Sequence, residues 1–100
     1  MKQYTDAPIT FTIDGVDMTA ISNPHVTFRQ GETVVDVTEL NIFDASNFSL
    51  VLTQAQTALF REGDVSIQLN YFDGSGQRHA SEVAKVSAER NILKRVLTDD

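Results

Sequence analysis

Two alternating runs joined by a short glycine-containing loop constrain this chain more than any other feature. In the first, Val65, Ile67, Leu69 and Tyr71 alternate with Ser66, Gln68, Asn70 and Phe72. Asp73, Gly74, Ser75, Gly76 and Gln77 follow, and a second extended run covers 78–86. Successive side chains of a strand point to opposite faces, so a period of two puts the apolar set on one face. Two such runs around a five-residue glycine loop predict a β-hairpin. The second run changes phase part-way. Ala80, Ala84 and Val86 share one face while Val83 falls on the other, and one inserted residue near Glu82, a β-bulge, accounts for the shift.

The residues before the hairpin repeat the theme in shorter pieces. Ile9, Phe11 and Ile13 alternate with Thr10 and Thr12, predicting a half-buried strand that Asp14 and Gly15 end. Residues 17–21 are mixed in character and Pro24 forbids a helix through them, so they read as a turn or single helical loop crossing between sheets, with Asp17 as its cap. Val26 and Phe28 mark a second strand. Gly31 turns the chain, and Val35 and Val37 return it with Val34 on the opposite face. Residues 39–43 either continue that strand or form a short one of their own. Asp44, Ala45, Ser46 and Asn47 are turn residues, and Phe48, Leu50 and Leu52 point inward from the next strand.

Thr53 and Gln56 have the spacing of a capping box, which predicts a helix of about two turns over 54–60. Ala55, Leu59 and Phe60 would then dock on the core. The expected core is Phe11, Phe28, Leu50, Leu52, Leu59, Phe60, Ile67, Leu69 and Val86.

Short strands at regular spacing with little helix indicate an all-β sandwich or small barrel. About seven strands in ~100 residues is the size of an immunoglobulin-like β-sandwich. The disulfide and buried Trp of antibody domains are missing, since the chain has no Cys and no Trp. The expected organisation is a sandwich domain over 1–88 and a tail or short helix over 89–100.

In that last segment Ile92 with Val96, and Leu93 with Leu97, are pairs four apart, the spacing of a short amphipathic helix. The candidate partner-binding residues are Ile92, Leu93, Lys94, Arg95, Val96 and Leu97. Four aliphatic side chains where a chain is expected to fray must pack on their own sandwich, on a second copy or on a partner.

Charge and composition narrow the function classes. The net charge is −6, so most of the surface repels a phosphate backbone and no nucleic-acid partner is expected. The basic residues are uneven, with Lys85, Arg90, Lys94 and Arg95 crowded into one stretch. No segment has the roughly 20 apolar residues of a membrane-spanning helix, and no signal-peptide core opens the chain, so no membrane partner is expected. The lack of thiols fits folding in the cytoplasm and removes the usual structural zinc ligands.

No catalytic constellation emerges, and neither a cofactor nor a metal is expected. His25 and His79 start strands, lie beside no nucleophile and read as surface residues. Asp14, Asp17, Asp73 and Ser75 could supply oxygen to calcium, but neither cluster has the full loop pattern, and Asp-Gly is common turn chemistry. A glycan-binding module would want exposed aromatic platforms, and Phe72 is the one large aromatic pointing away from the core face.

Three stretches together resemble a known group: 9–19 with 26–31, then 52–60, then 65–70 with 76–84 and the 93–97 tail. Their order is similar to that of small proteins encoded by phages and prophages of Gram-positive bacteria, and to the N-terminal domain of phage baseplate upper proteins. The motifs carried over are turns, caps and strand patterns. The resemblance implies an immunoglobulin-like sandwich serving as a virion, tail or baseplate part or as an assembly adaptor. It would be made in the host cytoplasm, then built into the virion, with other virion proteins or itself as partner. The alternative from a different class is a ligand-binding module, glycan-binding above all.

Overall fold

The computed structural model describes residues 1–95, 97 and 98. Among them are eight strands and one short helix: β1 (Ala7–Thr12), β2 (Ser22–Gln30), β3 (Thr33–Val37), β4 (Asn41–Ile42), β5 (Asn47–Leu52), α1 (Gln54–Thr57), β6 (Gly63–Phe72), β7 (Arg78–Ala80) and β8 (Ala84–Ala88). The protein is an all-β sandwich of two antiparallel sheets. One sheet has the order β1-β5-β4. The other runs β3-β2-β6-β7, with β8 also pairing β6.

Alternation decides which residues lie between the sheets. Val26 and Phe28 of β2, Val35 and Val37 of β3, and Val65, Ile67 and Leu69 of β6 are buried against Phe48, Leu50 and Leu52 of β5. Ile9, Phe11 and Ile13 are only half-buried, because β1 is the edge of its sheet and, among the described residues, no strand pairs with its far side. Val86 is likewise half-buried on an edge strand. Two tight turns use glycine for its freedom at positive φ: Gly31 (59°) between β2 and β3, and Gly76 (79°) in the 73–77 loop.

The phase change in the last extended run is a bulge. Asn70 pairs with Ala80 and Ile67 with Ala84, so Gln68 and Leu69 oppose three residues, Ser81, Glu82 and Val83. Ser81 fills the resulting gap in the ladder. Its N–H donates to the Leu69 carbonyl (2.8 Å), and its hydroxyl accepts from the Leu69 N–H (3.0 Å). A second bulge lies between Ser22 and His25 of β2, where Asn23 takes a φ of 47°.

The capping box forms as its spacing predicts. The Gln56 N–H donates to the Thr53 hydroxyl (3.2 Å), and the Thr53 N–H donates to the Gln56 side chain (2.9 Å). The helix is shorter than expected, ending at Thr57, and two core assignments fall with it. Leu59 is 57% exposed and Ala55 is exposed, whereas Thr57 and Phe60 are buried. The chain leaves α1 through Ala58 and a tighter turn, in which Leu59 N–H donates to Gln56 O and Phe60 N–H to Thr57 O. That turn aims Phe60 inward and Leu59 out.

Thr57 is the buried polar residue of the sandwich, and it is fully satisfied. Its hydroxyl donates to Thr5 O (2.8 Å) and accepts from Thr5 N–H (3.1 Å). Met18, 1% exposed, is a further core residue that the sequence did not point to, as are Ala7 and Ala88. Met18 is pulled in by the 17–21 crossover, where its N–H donates to Ala45 O (2.9 Å) and Asp17 accepts from both the N–H and the hydroxyl of Thr19.

Candidate functional site

The segment after β8 is where the sequence places partner binding. Its described residues form bends, with no helical turn among them, and Val96 lies outside the described residues. Ile92 is 92% exposed, while Leu93 and Leu97 are about half-exposed; Lys94 and Arg95 are also on the surface. Side chains of Asn91 and Gln54 tie the segment down. The Asn91 side chain donates to Gln3 O (3.0 Å) and accepts from Leu93 N–H (3.1 Å). The Gln54 side chain exchanges two hydrogen bonds with the Leu97 backbone, donating to its carbonyl (2.6 Å) and accepting from its N–H (2.7 Å). These bonds hold backbone. They leave the Ile92 side chain unburied.

An apolar opening lies elsewhere, between the free edge of β1 and the bulged β7–β8 edge. It is a lateral groove of about 550 Å³, with Phe11, Phe48, Val26, Ile67 and Leu69 among its lining. Phe11 and Phe48 stack there with ring centroids 4.9 Å apart. Its polar rim includes Asp14, Ser81 and Glu82, and among the described residues that line it none is basic. The groove has a local cause. The bulge separates β7 from β8, and the residues that flank it, Ala80 and Ala84, are too small to fill the space beside the buried Ile67 and Leu69.

A third feature sits on the outer face of the larger sheet. His25, Thr27, Asp36, Asn70, Phe72 and Arg78 line a shallow depression of about 270 Å³. Register explains the grouping: Thr27 is opposite Asp36, His25 opposite Asn70, and Phe72 opposite Arg78. Asp36 takes His25 Nδ1 at 2.6 Å and the Thr27 hydroxyl at 3.1 Å, and Arg78 donates to Asn70 (3.2 Å). Phe72 is half-buried beside them. The sequence singled out His25 and Phe72 separately. What joins them is pairing across β2 and β6, to which no local spacing points.

The acidic turn residues serve their own loops. Asp73 accepts from His79 (2.7 Å), Ser75 N–H (2.8 Å) and Gln77 N–H (3.0 Å). The His79 bond, and then the Gln77 N–H, hold its carboxyl below the usual carboxylate range. Asp17 is lowered by the hydroxyl and N–H of Thr19, and Asp44 by Ser46 N–H and the Asn47 side chain. His79 also stacks on Tyr71, with centroids 5.4 Å apart. Asp14 stands apart on the groove rim. Among the described residues no group of three or more His, Cys, Asp or Glu side chains could hold a metal ion, and no helix is long and apolar enough to cross a membrane.

Compared with known proteins, the chain matches no family model, no curated protein and no solved structure.

Proposed function

We propose that this chain is a non-enzymatic, immunoglobulin-like module that works through protein–protein contacts, as a structural or assembly part of a phage or prophage particle. The observation that carries the interaction reading is a pair of unpartnered apolar surfaces on one small acidic body: the lateral groove and the segment with Ile92, Leu93 and Leu97. Monomeric soluble proteins seldom leave large apolar patches open without a partner for them.

The strand order supports the immunoglobulin-like assignment. β1, β5 and β4 take the places of strands B, E and D, while β3, β2, β6 and β8 take those of C′, C, F and G. A parallel bridge between Lys2 and Glu89 then lies where a short first strand would meet strand G. The particle role rests on the sequence resemblance to phage and baseplate proteins. Its test is to purify particles from an induced lysogen carrying the gene and probe them with antibody to the chain. Stoichiometric recovery in intact particles is the expected result, and absence from them overturns the particle role.

The depression around Phe72 favours a second reading, as a glycan-binding module. An aromatic ring beside Asn70, Asp36 and Arg78 offers a sugar both a stacking surface and hydrogen-bond partners. Saturable glycan-array binding that Phe72→Ala abolishes would establish that reading in place of the first.

A further inference from the structure

We propose that the groove between β1 and the β7–β8 edge receives the 92–97 segment of a second copy, so that copies associate head to tail. This rests on the protein–protein reading above and is independent of the particle role.

Each half leaves something unfilled. The groove exposes part of a stacked Phe11–Phe48 pair at a sheet edge. The segment holds Ile92 almost wholly in water and Leu93 and Leu97 about half so, although the Gln54 side chain bonds the Leu97 backbone. Burial of those side chains is favourable wherever it happens, at about 25 cal/mol per Å² of apolar surface.

Charge selects the occupant. The groove rim carries Asp14 and Glu82, and the segment carries Lys94 and Arg95 between its apolar residues. A protein of net charge −6 repels most copies of itself, so a basic apolar segment meeting an acidic apolar groove is the contact at which attraction returns.

Shape agrees with charge. β1 is an edge strand of six residues with unpaired backbone groups on its outer side. Residues 92–95 bend in the free chain, and extending them would let them add to that edge as a further strand. Pro8 withholds one donor at the start of β1, which directs pairing to the 9–12 end, where the groove opens.

Position makes the contact intermolecular. Ala88 pairs with Gly63 at the start of β6, whereas the groove is built on Ile67, Leu69 and Tyr71 toward its other end. Gly63 and Tyr71 are about 27 Å apart along an extended strand. The Gln54 bonds hold the segment beside α1, away from its own groove. Groove and segment are different surfaces at opposite ends of the sandwich, so the association is heterologous and grows into rings or filaments instead of stopping at a symmetric pair.

The test is light scattering and sedimentation of the full chain across a concentration series, with circular dichroism confirming that each variant folds. The wild-type mass should rise with concentration. Asp14→Lys with Glu82→Lys should weaken association roughly tenfold, and so should Lys94→Glu with Arg95→Glu. Combining the two reversals should restore affinity to within about threefold of wild type. Ala84→Trp, at an exposed groove position, should block association without any change of charge. A wild-type chain that stays monomeric, association that Ala84→Trp leaves intact, or reversals that fail to rescue each other would each overturn the proposal. Recovery of the chain in particles would be unaffected by any of these outcomes if it contacts only other proteins there.

Discussion

At the α1 end of the sandwich, segments distant in sequence are laced together. Gln3 donates to Phe60 O (2.6 Å), Thr5 and Thr57 bond reciprocally, Gln54 N–H donates to Asp6 (3.1 Å), and Gln30 exchanges bonds with the Arg61 backbone (2.6 and 2.8 Å). At the other end Phe11, Ile13 and Tyr71 sit half-buried around an open groove. The two ends draw on the same kinds of residue. They differ in whether an intact strand and a capped turn close over the apolar layer or a bulge holds the edge apart. The closed end is held by these long-range hydrogen bonds, and the open end leaves apolar side chains half-buried.

The largest test of this contrast sets Phe60→Ala against Phe11→Ala. Phe60 is fully buried at the closed end, so its truncation should cost about 3–5 kcal/mol in urea unfolding. Phe11 is half-solvated at the groove, and its truncation should cost about half as much, since less surface is returned to water. Equal costs would show that the groove end is as well packed as the α1 end, and the contrast would fail.

A smaller effect probes the lacing itself. Thr57→Val preserves shape but strips Thr5 N–H and O of their partner, and should cost about 1–3 kcal/mol at the buried site. Hydrogen exchange at Thr5 should accelerate while amides of β2 and β6 stay protected. Uniform loss of protection would mean that the α1 end does not open by itself.

The smallest effect concerns the hairpin loop at the groove end. Asp73 has its pKa lowered in the folded chain, so the folded state binds its proton less readily than the unfolded state. Its contribution is therefore present at neutral pH and is lost as pH falls below about 4, through the lowered folded value. Asp73→Asn should lower the melting temperature at pH 7 slightly, and the gap from wild type should narrow as pH falls below about 4. A gap that persists at pH 2 would mean that Asp73 acts through loop geometry and not through its charge.

Particular elements show how far the sequence could be read. The alternation in β1, β2, β3, β5 and β6 assigned inner and outer faces correctly, because side-chain direction in a strand is a local property with period two. The phase slip at Glu82 located the bulge for the same reason, and Thr53 with Gln56 announced their capping box three residues apart. Leu59 was misassigned because helical periodicity was carried past the point where the helix stops. Past Thr57 the chain tightens into a turn, Leu59 N–H bonding Gln56 O, while Thr57 itself docks on Thr5, more than fifty residues away.

The sequence by itself determined that this is a β protein, where its strands turn, which faces are apolar, and that it concentrates basic and aliphatic residues after β8. Those are matters of period, turn chemistry and charge within a few residues. Only the tertiary structure decided that β1 would be an edge strand, that a groove would open between it and the bulged β7–β8 edge, and that His25, Asn70 and Phe72 would share one face. It also decided that Leu97 would be tied to Gln54 at the α1 end with Ile92 in water. These depend on which strands pair and in what register, and pairing is settled by burial summed over the whole core, a quantity that no short stretch of sequence contains.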